Sequence, residues 1–200
     1  MSEQPSRVIA DPRALMAIAH PLRLRILEAL ALHGPLTATD VAHHVGESPA
    51  NCSWHLRQLN KYGFIAEAGG GSGRQRPWRM VVDAHRWGVG EESPELARAG
   101  DAASQVLIDL EYRALREWLM TRRQETPEWR DAGFFNQAVG WCTPEELDDL
   151  RTSLSELFAP YLRRIEEASA RPAGSRPVRL MGWGIPAATS EPGDGTEERT

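Results

Sequence analysis

Two hundred residues suffice for one larger domain or for a small domain with an appendage, and the 41% apolar and 26% charged shares are those of an ordinary globular protein. No run approaches the ~18 uninterrupted apolar residues of a membrane span, and no basic-then-apolar leader follows Met1; the two cysteines, Cys52 and Cys142, exclude a disulfide scaffold and suit a reducing, cytoplasmic compartment. The net charge of −5 divides unevenly, with +3 on residues 11–87 and −8 on residues 88–200, so a basic front half suited to phosphate precedes an acidic back half.

In chain order, residues 1–9 are polar and aperiodic and read as a mobile arm. Asp11 is placed to cap a short helix that has Pro12 at its first position and runs through Leu15, Met16 and Ile18 to His20. Pro21 opens a second helix with Leu22, Leu24, Ile26, Leu27 and Leu30 at helical spacings, ended by Gly34-Pro35. Thr37 caps a third helix over 38–45, which buries Val41, Ala42 and Val45 and stops at Gly46. Ser48-Pro49 then starts a fourth helix, which runs to Tyr62 and is closed by Gly63. Two helices joined by so short a Gly-containing turn form a helix-turn-helix pattern. Residues 64–68 read as a strand, 69–73 as a glycine-rich turn and 75–82 as a returning strand, which together make a wing carrying Arg74, Arg76 and Arg79.

The segments Ala19-His20-Pro21-Leu22-Arg23-Leu24-Arg25-Ile26-Leu27, Leu36 to Val45, Ser48 to Leu59 and Tyr62-Gly63-Phe64-Ile65 together resemble the ArsR-type winged-helix repressors. The resemblance covers residues 11–83. It implies a homodimer that binds an imperfect inverted repeat in double-stranded DNA and leaves it when an effector binds. The likeness is to members with a long helical C-terminal extension, whose effectors are generally undefined; both a small-molecule effector and none are open here. The family's cysteine-bearing metal motif is missing, because Thr39-Asp40-Val41-Ala42-His43 stands in that region.

The fourth helix can also be read without the family. At 100° per residue Cys52, His55, Leu56, Leu59 and Gly63 share a core face. Opposite lie Ala50, Trp54, Arg57 and Lys61, flanked by Asn51, Ser53 and Gln58, and this is the face that helix-turn-helix docking puts toward base edges. Arg57 suits a guanine or a phosphate and Asn51 suits adenine. Ser48, as N-cap, sets helix-terminal N–H groups toward a phosphate. Trp54 has two readings, contact with a base or packing against the backbone, and Arg23 and Arg25 likewise serve either a solvated helix face or phosphate. Arg74 and Arg76 are assigned to DNA. Trp78 and Trp87 are assigned to packing and His20 to the turn. Cys52 is read as a small core hydrophobe.

Metal and enzyme readings find little support. There is no Cys-x-x-Cys, and the adjacent His43 and His44 diverge by about 100° on a helix and cannot chelate one ion alone. A metal-sensing repressor would need His43 or His44 joined to carboxylates across a dimer. No nucleophile elbow, phosphate loop or His-Glu-x-x-His is present, so no catalytic residue, metal ligand or cofactor is assigned.

Behind a polar linker at 88–93, a long helix is expected from Ser93-Pro94 to Gln124, with Val106, Leu107, Leu110, Ala114, Leu115, Trp118 and Leu119 as its stripe. Thr143-Pro144-Glu145-Glu146 is a capping box opening another helix, striped by Leu147, Leu150, Leu154, Leu157, Phe158, Tyr161, Leu162 and Ile165. These stripes are expected at a dimer contact, the alternative being an intrachain hairpin. Residues 133–142 and 177–185 are expected as short antiparallel strands whose Trp141, Trp183, Phe134, Phe135 and Met181 form a small core or wall an apolar effector cavity. Residues 187–200 read as disordered.

The whole is expected to be mainly α with a small β-wing. It divides into an arm at 1–10, a winged helix-turn-helix at 11–87, a helical dimerisation and effector region at 88–186, and the tail. The expected function is that of a dimeric, DNA-binding transcriptional repressor. The alternative is a winged helix used only for protein contacts, which the basic wing and the polar outer face of residues 50–61 oppose.

Overall fold

Five of the helices in the computed structural model begin with one two-residue device, a capping side chain followed by proline: Asp11-Pro12, His20-Pro21, Ser48-Pro49, Ser93-Pro94 and Thr143-Pro144. The cap accepts an otherwise orphaned backbone N–H, and proline occupies the position whose N–H has no intrahelical partner. The structure describes residues 7–70, 75–81, 85–86 and 93–187. The expected arm up to residue 6, the wing tip with Arg74, residues 87–92 with Trp87 and the tail from 188 lie outside the described residues.

The front half contains α1 (Pro12–Ile18), α2 (Pro21–His33), α3 (Ala38–Val45) and α4 (Pro49–Lys61). α1 ends two residues earlier than expected, because His20 is the N-cap of α2: its Nδ1 accepts the Leu22 N–H at 3.2 Å. α3 starts with a full capping box between Thr37 and Asp40 and ends at Gly46, whose φ of 69° places it in the left-handed region that glycine tolerates. Arg25, which the sequence left between a solvated face and phosphate, donates from Nη2 to the Val45 carbonyl at 2.6 Å. It thereby satisfies an orphan carbonyl at the end of α3 and ties α2 to the helix-turn-helix.

Numbered in chain order, the strands are β1 (Arg7–Val8), β2 (Ile65–Glu67), β3 (Trp78–Met80) and β4 (His85–Arg86). β2 and β3 pair antiparallel with Ile65 opposite Met80 and Glu67 opposite Trp78. Leu36 and Trp78 exchange backbone hydrogen bonds at 3.0 and 2.8 Å, so the segment before α3 extends the wing sheet. β1 pairs parallel with β4, and Ile9 is buried. In the sequence residues 7–9 look like part of a mobile arm, because an element of two residues is too short to show periodicity and its partner is remote in the chain.

The core lies among α1–α4 and β2. Leu15, Ile26, Leu30, Val41, Leu56, Leu59 and Ile65 are fully buried, each burial stabilising by roughly 1.5–3 kcal/mol. α5 (Pro94–Thr121) joins this core through Ala99, Gly100 and Ala103, small residues that let it lie close along α1. A turn of 3-10 helix at 122–124, a short α6 (Pro127–Ala132) and α7 (Pro144–Glu166) follow.

Neither 133–142 nor 177–185 is a strand, and they do not pair, contrary to the sequence reading. Trp141 is fully exposed, Phe134 and Phe135 are exposed and Trp183 is 73% exposed, so no cavity forms from them. The reason lies in their glycines. The positions a Cβ would take at Gly133, Gly182 and Gly184 fall 2.4 Å from Trp118, 2.4 Å from Leu154 and 2.7 Å from Leu147. These backbones therefore lie directly against helix side chains instead of forming a ladder. Charged contacts fix the second segment: Arg176 forks onto Glu125 at 2.8 and 3.0 Å and lies 4.7 Å over the Trp129 ring, and Arg179 reaches Glu111 and Glu28.

Truncating Leu59 to alanine at the centre of this core should cost about 2–5 kcal/mol. Urea unfolding measures it, and a loss under about 1 kcal/mol would place Leu59 outside the cooperative core.

Candidate nucleic-acid interface

α4 presents two chemically different faces. Cys52, His55, Leu56 and Leu59 point into the core, while Ala50, Trp54, Arg57 and Lys61 are exposed and Asn51, Ser53 and Gln58 are half-buried beside them. Trp54 is 48% exposed, its ring edge-on to His55 with centroids 4.7 Å apart.

The first turn has a definite count of donors. Ser48 Oγ accepts the Asn51 N–H at 3.2 Å, and the Cys52 N–H bonds the Ser48 carbonyl at 3.0 Å. Pro49 has no N–H. The Ala50 N–H is thus the first-turn donor left facing outward, on a residue small enough for close approach.

Two of the candidate residues are held by neighbours four positions away. Asn51 Nδ2 donates to Glu47 Oε2 at 3.1 Å, and Arg57 Nη1 donates to Ser53 Oγ at 2.7 Å. Glu47 was not singled out from sequence; its position four residues before Asn51 across a helix start was the available signal. In the wing, Arg76 pairs with Glu67 at 3.0 Å, and Arg79 lies 3.6 Å from Glu166 of α7. The structure brings Ser48, Ala50, Asn51, Ser53, Trp54, Arg57 and Lys61 onto one helix; Arg76 lies apart on the wing, and Arg74 is outside the described residues.

Behind α4 lies a buried polar cluster. The His20 and His55 ring centroids are 4.8 Å apart. His55 is only 5% exposed and its Nδ1 has no hydrogen-bond partner; the Nε of Arg23 is also buried without one. Burial, then the charges of His20 and Arg23, hold His55 below the ordinary imidazole value of 6.5, and burial followed by Arg23 does the same for His20. Cys52 is fully buried and its thiol is pushed up by that burial, which suits a core hydrophobe. His44 stacks on His33 at 3.9 Å and 10°. Among the described residues no three His, Cys, Asp or Glu side chains gather into a metal-holding group, and no helix is long and apolar enough to cross a membrane.

The depressed histidines set the sign of a pH dependence. Native values below 6.5 mean that the unfolded chain takes up protons first. Their stabilising contribution is complete above the unfolded value and is lost as pH falls through the native one. Replacing His55 by leucine should therefore flatten the fall in Tm on acidification from about pH 7.5 to 5; melting curves that fall in parallel for the two proteins would remove His55 from that dependence.

Residues 18–68 match the family described as helix-turn-helix domain, a stretch running from the last residue of α1 to just past β2. No curated protein matches the sequence. The crystal structure of RV1404 from Mycobacterium tuberculosis is similar at 17% identity, over 82% of this chain and 86% of that one, with a TM-score of 0.31. Residues 18–68 form a helix-turn-helix domain, which the antiparallel wing completes as a winged helix and which long C-terminal helices follow.

Proposed function

We propose that this chain is a sequence-specific, DNA-binding transcriptional regulator of the ArsR type, acting as a dimeric repressor at an inverted repeat in the cytoplasm. The observation that carries the reading is α4, whose apolar face is locked into the core while Ala50, Asn51, Trp54, Arg57 and Lys61 face outward behind a helix-turn-helix turn. In this reading α4 lies in the major groove with Arg57 and Asn51 toward base edges, and Ser48 and the Ala50 N–H meet a phosphate. The wing, through Arg74 and Arg76, follows the flanking backbone. The winged helix at 11–87 is the DNA-binding unit, and 88–186 joins two copies.

Apolar surface on the C-terminal helices supports the dimer. α7 buries no residue, and Leu150, Leu157 and Tyr161 form an open line beside the Leu147 and Leu154 side chains that meet the glycine segment. On α5, Ile108, Tyr112 and Leu119 form a second exposed line. Rows of apolar residues this extensive mark interaction surfaces.

Recovery and sequencing of genomic fragments bound by the purified protein tests the reading. Enrichment of an inverted repeat with half-sites about 10 base pairs apart is expected, and sequence-blind binding would sink operator recognition and favour a protein-contact role. Arg57→Ala should weaken operator binding by about 10- to 100-fold with the fold intact, as read by fluorescence anisotropy at fixed salt. Arg74→Ala with Arg76→Ala should reduce the slope of log affinity on log salt by about 1.8, two phosphate contacts' worth; an identical slope removes the wing from the interface. Leu150→Asp with Leu157→Asp should give monomers in sedimentation, and a persisting dimer would move the interface off α7.

A further inference from the structure

The last turn of α4 meets the first turns of α5 across an open groove of about 510 Å³, lined by Met16, Ala17, Arg23, Tyr62, Glu95 and Arg98 among others. Sites for small molecules are commonly of this size. Its walls are partly apolar, with Met16 half-exposed on α1 and Ala99 at the base.

Charge and hydrogen bonding in the groove point to an occupant. Arg13, at the rim, is taken up by Asp11, to which it donates from Nε and Nη2 at 3.1 and 3.2 Å. That leaves two guanidiniums, Arg23 and Arg98, against the single carboxylate of Glu95, an excess of one positive charge among the lining residues. Arg23 is the more telling of the two. Its Nε is buried out of solvent contact with no hydrogen-bond partner, which costs free energy that a turn of the guanidinium onto an acceptor in the groove would recover. A carboxylate is the planar acceptor that a guanidinium edge fits with two parallel bonds.

We propose that this groove binds a small organic monoanion, a carboxylate on a short apolar body, with Arg23 and Arg98 holding the carboxylate and Met16, Ala17 and Tyr62 packing on the body. The ligand touches α1, α2, α4 and α5 together, so its presence fixes the reading helix relative to the helix that leads into the C-terminal region. Control of DNA affinity by this ligand rests on the DNA-binding reading above; binding in the groove does not.

Benzoate titrated into the full ¹⁵N-labelled chain without DNA, with the arginine Nε–Hε resonances followed by NMR, tests the proposal independently of any operator. The Arg23 resonance, assigned by its loss in Arg23→Lys, should shift saturably with a Kd of about 1 mM, as suits a fragment of this size. Benzyl alcohol and inorganic phosphate at equal concentration should shift it far less. Arg98→Gln, at an exposed position that the core does not need, should weaken benzoate about tenfold, and Met16→Gln should weaken it as well. The proposal is overturned by the absence of a saturable shift up to about 10 mM benzoate. An equal response to benzyl alcohol or to inorganic phosphate, or a benzoate affinity unchanged in Arg98→Gln, overturns it too.

Discussion

The arrangement of the front half follows from the burial of one face of α4. Cys52, Leu56 and Leu59 are wholly inaccessible, and together with Ile26, Leu30, Val41 and Ile65 they hold the helix against rotation about its axis. A rotation by one residue, about 100°, would put Trp54 or Arg57 into the core and expose a leucine, losing several kcal/mol of burial. The outward face is therefore fixed by what lies beneath it. Around this helix the other contacts act as braces: Arg25 closes the end of α3, the Thr37–Asp40 box closes its start, and Trp78 ties the wing back to Leu36.

The braces differ in kind from the polar cluster under α4. His55 and Arg23 each bury a nitrogen without a partner, which a core selected for stability alone would replace with carbon. Such groups lower the stability of the head and place titratable and cationic chemistry directly behind the helix that carries the outward-facing residues. Arg23 also lines the groove beside α5, so one of the two unpartnered buried nitrogens among the described residues belongs to a groove-lining side chain.

How much of this was legible depended on the length scale of the signal. The starts of α1 to α4 and the ends of α2 to α4 were marked by caps, prolines and glycines, and the apolar spacings put Leu15, Ile26, Leu30, Val41, Leu56 and Leu59 in the core, though they also offered Met16, which is half-exposed. The same logic placed the starts of α5 and α7, at Ser93 and Thr143. It failed at 133–142 and 177–185, where aromatics and aliphatics among glycines resemble a strand. There glycine served close approach to Trp118, Leu147 and Leu154, and close approach is decided by the partner, which local sequence does not name. β1 and β4 failed for a related reason, being two residues each and remote in sequence. At the interface, the types and positions of Asn51 and Arg57 were legible, but their engagement by Glu47 and Ser53 was not, because it depends on rotamers.

That engagement bears on how a protein of this kind would search DNA. With Asn51 held by Glu47 and Arg57 held by Ser53, the side chains that would discriminate bases are already satisfied while the helix is off its target. Exchanging one hydrogen bond for another is close to neutral. In the proposed role a wrong sequence would offer these residues no reason to let go, and the basic residues of 11–87 would carry the domain along the backbone. Only a base edge that outcompetes the internal partner would draw the side chain across, so the threshold for arrest would be set by Glu47 and Ser53 before any DNA is met.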